Sequence, residues 1–146
     1  MEKKEIQLLN RLYQDATVGT LAIDRILKKI DKDSNKQIFK KQYGMYEDFA
    51  EKCNAIAIEN DVDIKENSPF KKMKQSVMLN FALMMDKSMR HIVELMINGT
   101  VMGIVDTIKI QKDLKTKNEQ LNELVMEFRQ MQEAFYEKLK ALLMKV

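Results

Sequence analysis

The chain has 146 residues, a net charge of +3, 45% hydrophobic and 32% charged residues, and only four glycines and one proline. An average chain of this length carries roughly seventeen Gly plus Pro, so collagen-like, linker-like and turn-rich all-β architectures are excluded, because β folds need turn residues every few positions. The balance is that of a single globular domain over 1–146, too apolar for disorder.

Ile6, Leu9, Tyr13, Ala16, Thr20, Ile23, Leu27 and Ile30 follow one another in alternating steps of three and four. That is an a/d heptad stripe, and it predicts a helix over about residues 2–31. Gly19, beside Thr20, marks a point where a neighbouring group comes close. Asp31 to Asn35 is a turn. Ser34 followed by Gln37 fits a capping box that opens a second helix over about 35–59. Phe39, Gln42, Tyr46, Phe49, Cys53 and Ile56 form its stripe.

Asn60 to Asn67 is polar and predicts the one substantial loop. Ser68-Pro69 then signals a helix start, an N-cap residue followed by proline at the first helical position. Met78, Phe81, Met85, Ser88, Ile92, Leu95, Gly99 and Met102 continue at 3/4 spacing, with Val101, Ile104, Val105 and Ile108 beyond. The pattern predicts one long third helix over about 69–114, roughly 68 Å at 1.5 Å per residue, bent near Asn98-Gly99. A true break at Asn98-Gly99-Thr100 is the alternative. Thr116 with Glu119 opens the last helix, about 118–144, whose stripe is Leu121, Leu124, Phe128, Met131, Phe135, Leu139 and Leu142.

Shifting the chain by 82 residues lays Ile23-Asp24 over Val105-Asp106, Ser34 over Thr116, Phe39 over Leu121 and Tyr46 over Phe128. Two related helical hairpins give such a match. The expected fold is all-α, an antiparallel up-down four-helix bundle with a long third helix.

Four long helices in two hairpins resemble the ferritin-like superfamily. Tyr13-Gln14-Asp15-Ala16-Thr17-Val18-Gly19 and Asn98-Gly99-Thr100-Val101-Met102-Gly103-Ile104-Val105-Asp106 are similar to segments of uncharacterised bacterial ferritin-like proteins. The resemblance spans most of the chain and implies the fold. Its di-iron members place one carboxylate on each of two helices and an E-x-x-H pair on each of the other two. This chain has one histidine, His91, with Ser88 three residues before it, and no E-x-x-H. Tyr46, Phe49, Phe128 and Met131 stand at the matching inner positions of the second and fourth helices. The di-iron site is therefore not expected to carry over, and no cofactor is.

His91 and Glu94 share a helix face, with Ser88, Asn98 and Asp106 near the same side. Thr20 and Gln42 fall on inward stripes of other helices. Together these seven make a candidate inward polar pocket; the favoured reading is a hydrogen-bonded histidine at the core edge. The twelve methionines fit a Met-rich core, the thioether being a flexible filler, better than a Cu(I) site on Met78, Met85, Met89 and Met96. Glu119, Glu123 and Glu127 form an acidic row read as a solvated face.

Lys71, Lys72 and Lys74, and Lys109, Lys112, Lys115 and Lys117, are the densest basic clusters. They are too dispersed for a nucleic-acid face. Cys53 is the lone cysteine, expected as a small buried hydrophobe in a reducing cytoplasm. Met1-Glu2-Lys3-Lys4-Glu5 lacks a signal-peptide core. The longest uncharged runs, Gln75–Met85 and Leu95–Val105, have eleven residues each, below the roughly eighteen of a membrane span. No glycine-rich phosphate loop or G-x-S-x-G is present. The expectation is a non-catalytic bundle that binds or self-associates, as a homodimer. Its alternative is a small-molecule or metal binder, a degenerate ferritin-like oxidoreductase, using the His91 pocket. The partner and biological role stay open.

Overall fold

The computed structural model describes residues 1–64 and 66–146. Five α-helices follow in order, α1 (Lys3–Leu27), α2 (Gln37–Glu59), α3 (Ser68–Ala82), α4 (Met89–Asp113) and α5 (Glu119–Leu143), with a 3-10 turn at Asp33–Asn35 before α2. The described residues contain no strand. The all-helical class matches the scarcity of turn residues.

The expected third helix is two helices. The chain leaves α3 at Leu83, and Asp86 Oδ1 accepts the Ser88 N–H at 3.0 Å. Ser88 then caps α4, its Oγ accepting the His91 N–H at 3.2 Å. An Asx-type turn followed by a serine cap stops one helix and starts another. Gly99, at the expected bend, does not disturb the helix: it and Gly103 lie inside an unbroken α4. The apolar continuity of residues 75–105 concealed the break, and a helical phase carried across it assigned the wrong inner face to α4.

The other helix starts also differ in detail. Asn67, not Ser68, caps α3, with its Oδ1 2.9 Å from the Phe70 N–H. Asn118, not Thr116, caps α5 at Leu121, while the Thr116 hydroxyl accepts the Asn118 N–H at 3.1 Å. Ser34 sits in the 3-10 turn, and the cap position of α2 is Lys36, which makes no side-chain cap. Asp61, at φ 55°, closes α2 in the left-handed conformation that ends many helices.

α1 is the hub and touches all four other helices. α1–α2 and α4–α5 are tightly packed antiparallel hairpins. Tyr46 of α2 packs its ring on Gly19 of α1, where an added Cβ would lie 2.8 Å from the ring. α5 lies antiparallel to α2: Phe39 meets Phe135 at a ring separation of 6.2 Å, and Phe49 stacks on Phe128 at 4.6 Å. Asn118 at the start of α5 donates to Glu5 near the start of α1 at 2.9 Å, so these two helices run the same way.

These contacts fix the connectivity. α2 ends near the start of α1, and α4 begins near its end. α3 spans the distance between them, touching α1 alone among the described helices. α2 and α4 therefore run parallel, joined by a helical crossover rather than by the short loops of a simple up-down bundle. Phe70 and Phe81 anchor α3, at 2% and 8% exposure.

The aromatic and leucine-rich centre holds Leu8, Leu9, Leu12, Phe39, Phe49, Phe128 and Phe135, all nearly fully buried. α2 buries the stripe expected of it, and α5 buries all of its stripe except Met131 and Leu142, which are half-buried. α1 does not follow a strict a/d stripe: Leu9, Ala16, Ile23 and Ile30 are buried, whereas Ile6, Tyr13, Thr20 and Leu27 are half-buried. A helix with four neighbours must bury a wider arc, and Leu8, Leu12 and Ile26 supply it. The methionines are not concentrated in the core. Met84 and Met96 are buried, while Met1, Met73, Met78, Met85, Met102, Met126 and Met144 are exposed.

Candidate functional site

The seven residues of the expected pocket do not converge. Ser88 is the α4 cap, and His91 one turn on is only partly covered. Glu94 is exposed and pairs with Arg90 at 3.4 Å. Asn98 is exposed on the outer side of α4. Asp106 lies fifteen residues beyond His91 on the same helix, about 22 Å along its axis. Thr20 donates its hydroxyl to the Thr17 carbonyl at 2.7 Å and faces a shallow cleft with Tyr13, Glu47, Ala50, Glu51 and Asn54. Gln42 is buried beside Tyr46, away from α4.

One of the seven belongs to a different cluster. Asp106 of α4 is ion-paired with Arg11 of α1. Asp15, one turn beyond Arg11, turns its carboxyl to Asp106, and its Oδ2 is shut from solvent with no donor within reach. Two carboxylates in contact need a proton between them. Burial pushes the Asp15 carboxyl up to about 9, the Asp106 carboxylate adds to the rise, and the Arg11 guanidinium offsets part of it. Burial and the neighbouring carboxylate thus push Asp15 towards its neutral form beside an Asp106 that Arg11 already holds. The cluster ties α1 to α4 at a fixed level.

A second buried polar contact lies one residue on. The Thr107 hydroxyl donates to Gln132 Oε1 of α5 at 2.8 Å, next to the Gly103 carbonyl at 2.9 Å. Gly103 leaves room for that glutamine, whose Nε2 would stand 3.0 Å from an added Cβ. Arg129 of α5 reaches Gln111 of α4 at 3.0 Å. Arg11, Asp15, Thr107 and Gln132, together with buried Gln14 and Thr100, are inward polar residues that sequence reasoning missed. The pointer was the pair Leu8 and Leu12, apolar positions outside the a/d stripe of α1, which signal a second buried side and hence an inward Asp15.

Cys53 is fully buried, and burial pushes its thiol up to about 12; such a thiol is a small apolar filler, not a nucleophile. Burial likewise raises the Tyr46 phenol to about 12. Among the described residues, no three His, Cys, Asp or Glu side chains are grouped to hold a metal ion. Two shallow concave features can be described. One groove of about 290 Å³ runs between the end of α1 and α3, lined by Arg25, Lys28, Lys29, Met78, Phe81 and Ala82. The cleft at Thr20 measures about 220 Å³. Both fall below the roughly 300–1,000 Å³ of ligand-enclosing sites.

Uncovered apolar surface is found on α3, where Met73, Met78 and Leu79 are exposed, and in a regular stripe on α4. α4 contacts α5 and α1 only. Its outer side exposes Val101 (39%), Met102 (73%), Val105 (46%) and Ile108 (40%). By length and composition α4 is also apolar enough to cross a membrane, with a mean hydropathy of 1.2 over eighteen residues, of which 28% are buried within the fold. The expectation from uncharged runs alone overlooked this, because the best window tolerates two charges.

No family model, curated protein or solved structure matches the chain.

Proposed function

We propose that this chain is a non-catalytic helical bundle that works by associating with itself, its helices arranged as in ferritin-like proteins. Two antiparallel hairpins joined by one crossover are the connectivity of that superfamily, which supports the resemblance in fold. The inner positions carry aromatic rings and an Asp–Asp–Arg cluster in place of carboxylate–histidine ligands. A ligand site at His91 gains no support, because its expected members are dispersed along α4 and over two other helices.

The observation that carries the proposal is the uncovered apolar side of α4. Four large apolar side chains in register on one helix are more than scattered surface hydrophobes. The long helix expected over about 69–114 is two helices, so the exposed side of α4, Ile108 included, and not a projecting helix end is what a partner would cover.

Sedimentation velocity over about 5 μM to 1 mM tests the proposal. The expected result is a monomer–dimer equilibrium that Val105→Glu shifts to monomer without lowering the melting temperature. A wild-type chain that stays monomeric throughout overturns it.

A further inference from the structure

The outer stripe of α4 specifies how a second copy docks. Glu94, Asn98, Val101, Val105, Ile108 and Lys112 are all exposed and follow one another in steps of 4, 3, 4, 3 and 4. This is the spacing of a helix–helix seam, so the partner it fits is an α-helix. The series reads the same from either end. A copy of α4 laid against it in reverse therefore matches layer by layer: Val101 meets Val105, Asn98 meets Ile108, and Glu94 meets Lys112. Each layer recurs on the other side of a two-fold axis at the level of Gly103, as an isologous dimer requires.

Charge selects this direction. The stripe is acidic at its start and basic at its end. In a reversed pair each Glu94 faces a Lys112, while in a parallel pair glutamate faces glutamate and lysine faces lysine. Lys112 has no ion-pair partner among the described residues, and Glu94 has only the exposed Arg90, 3.4 Å away. Met102 flanks the seam on one side. Met126 of α5, 39% exposed and in contact with Gln111 of α4, adds apolar area beside it.

We infer that the chain forms an antiparallel homodimer through the outer face of α4, with Glu94 of each copy against Lys112 of the other. This rests on the self-association proposed above and adds its geometry. A seam about 27 Å long is at the small end of specific interfaces, so the dimer is a weak, concentration-dependent one.

A charge swap tests the register. Glu94→Lys and Lys112→Glu are each expected to raise the dimer Kd about tenfold at low salt, since each turns two attractions into two repulsions. The double variant, with the charges exchanged, restores the wild-type Kd to within about threefold. In about 1 M NaCl the single variants converge on wild type. Melting curves must coincide for all four proteins, as expected for exposed positions. If the singles are silent, or the double variant is as weak as the singles combined, the register is overturned; when Val105→Glu still gives a monomer, self-association survives that failure. A monomeric wild type that instead co-sediments with phosphatidylglycerol vesicles, and loses this with Val105→Glu, assigns the face to a membrane and overturns both.

Discussion

α2 and α4 are helices of similar length, 23 and 25 residues, but they use apolar residues differently. α2 has one apolar side: Phe39, Tyr46, Phe49, Cys53 and Ile56 point inward, and Lys40, Lys41, Glu47, Asp48, Glu51 and Lys52 cover the rest. α4 has two. Ile92, Val93, Met96 and Ile110 face the core, while Val101, Met102, Val105 and Ile108 face out. A one-sided helix has a single orientation that removes its apolar surface from water. A two-sided helix needs cover on both sides, and α1 and α5 cover only one side of α4.

The sharpest way to break this comparison is to truncate each kind of apolar residue. Phe128 of α5 stacks on Phe49 of α2 and lies 5.8 Å from the Tyr46 ring. Phe128→Ala is expected to cost about 3–5 kcal/mol, the transfer of the ring plus the cavity left in a packed centre. Met102→Ala, on the outer side of α4, should stay within about 0.5 kcal/mol in the monomer. Urea unfolding of dilute protein measures both. Comparable losses would mean that the outer side of α4 is packed within the chain and is no docking face.

A second difference lies in how the helices are fixed. α2 is positioned by rings and Gly19, α4 by the polar cluster of Arg11, Asp15 and Asp106. The Asp15 carboxyl is raised to about 9 in the folded chain from an ordinary value of 3.8. Between those values the native state holds a proton that the unfolded chain has released, so stability falls as pH rises through that window and levels off above it. Asp15→Asn keeps a donor towards Asp106 and carries no charge to neutralise. It should raise stability at pH 8 by about 1–3 kcal/mol and flatten the pH dependence, with the two proteins drawing together near pH 4. Chemical denaturation at pH 4, 6 and 8 reads this, and a variant less stable than wild type at pH 8 would show that the proton is not held there.

This contrast also explains what the sequence made legible. The stripe of α2, that of α5 and the all-helical class follow from period and punctuation, because a single apolar side admits one interpretation. The break at Leu83–Ser88 was hidden by apolar residues on both sides of it, and only Asp86-Lys87-Ser88 marks it. Once the phase was carried through, Met85 and Met102 were assigned inward, though they are 94% and 73% exposed. The polar cluster failed for a related reason. Asp106 was singled out as a neighbour of His91 on one helix, whereas its partners lie on α1, and only the packing of α1 against α4 brings Arg11 and Asp15 to it.

The smallest expected effect tests where the seam lies on α4. Gly44 of α2 and Gly99 of α4 each have open space where a Cβ would stand, unlike Gly19 against Tyr46. A glycine inside a helix forfeits about 0.5–1 kcal/mol relative to alanine through the freedom of the unfolded chain. Gly44→Ala and Gly99→Ala should therefore stabilise the monomer equally, by that amount, whereas Gly19→Ala should destabilise by about 1–3 kcal/mol because the Tyr46 ring must move. At 3.6 residues per turn Gly99 lies about 140° around α4 from the centre of the outer stripe, so neither glycine borders the seam. Raising the protein concentration should leave the gain at Gly44 unchanged. The gain at Gly99 should likewise be equal at every concentration, and a gain that shrinks as dimer forms would place the seam on the Gly99 side of α4 and overturn the stripe centred on Val101 and Val105.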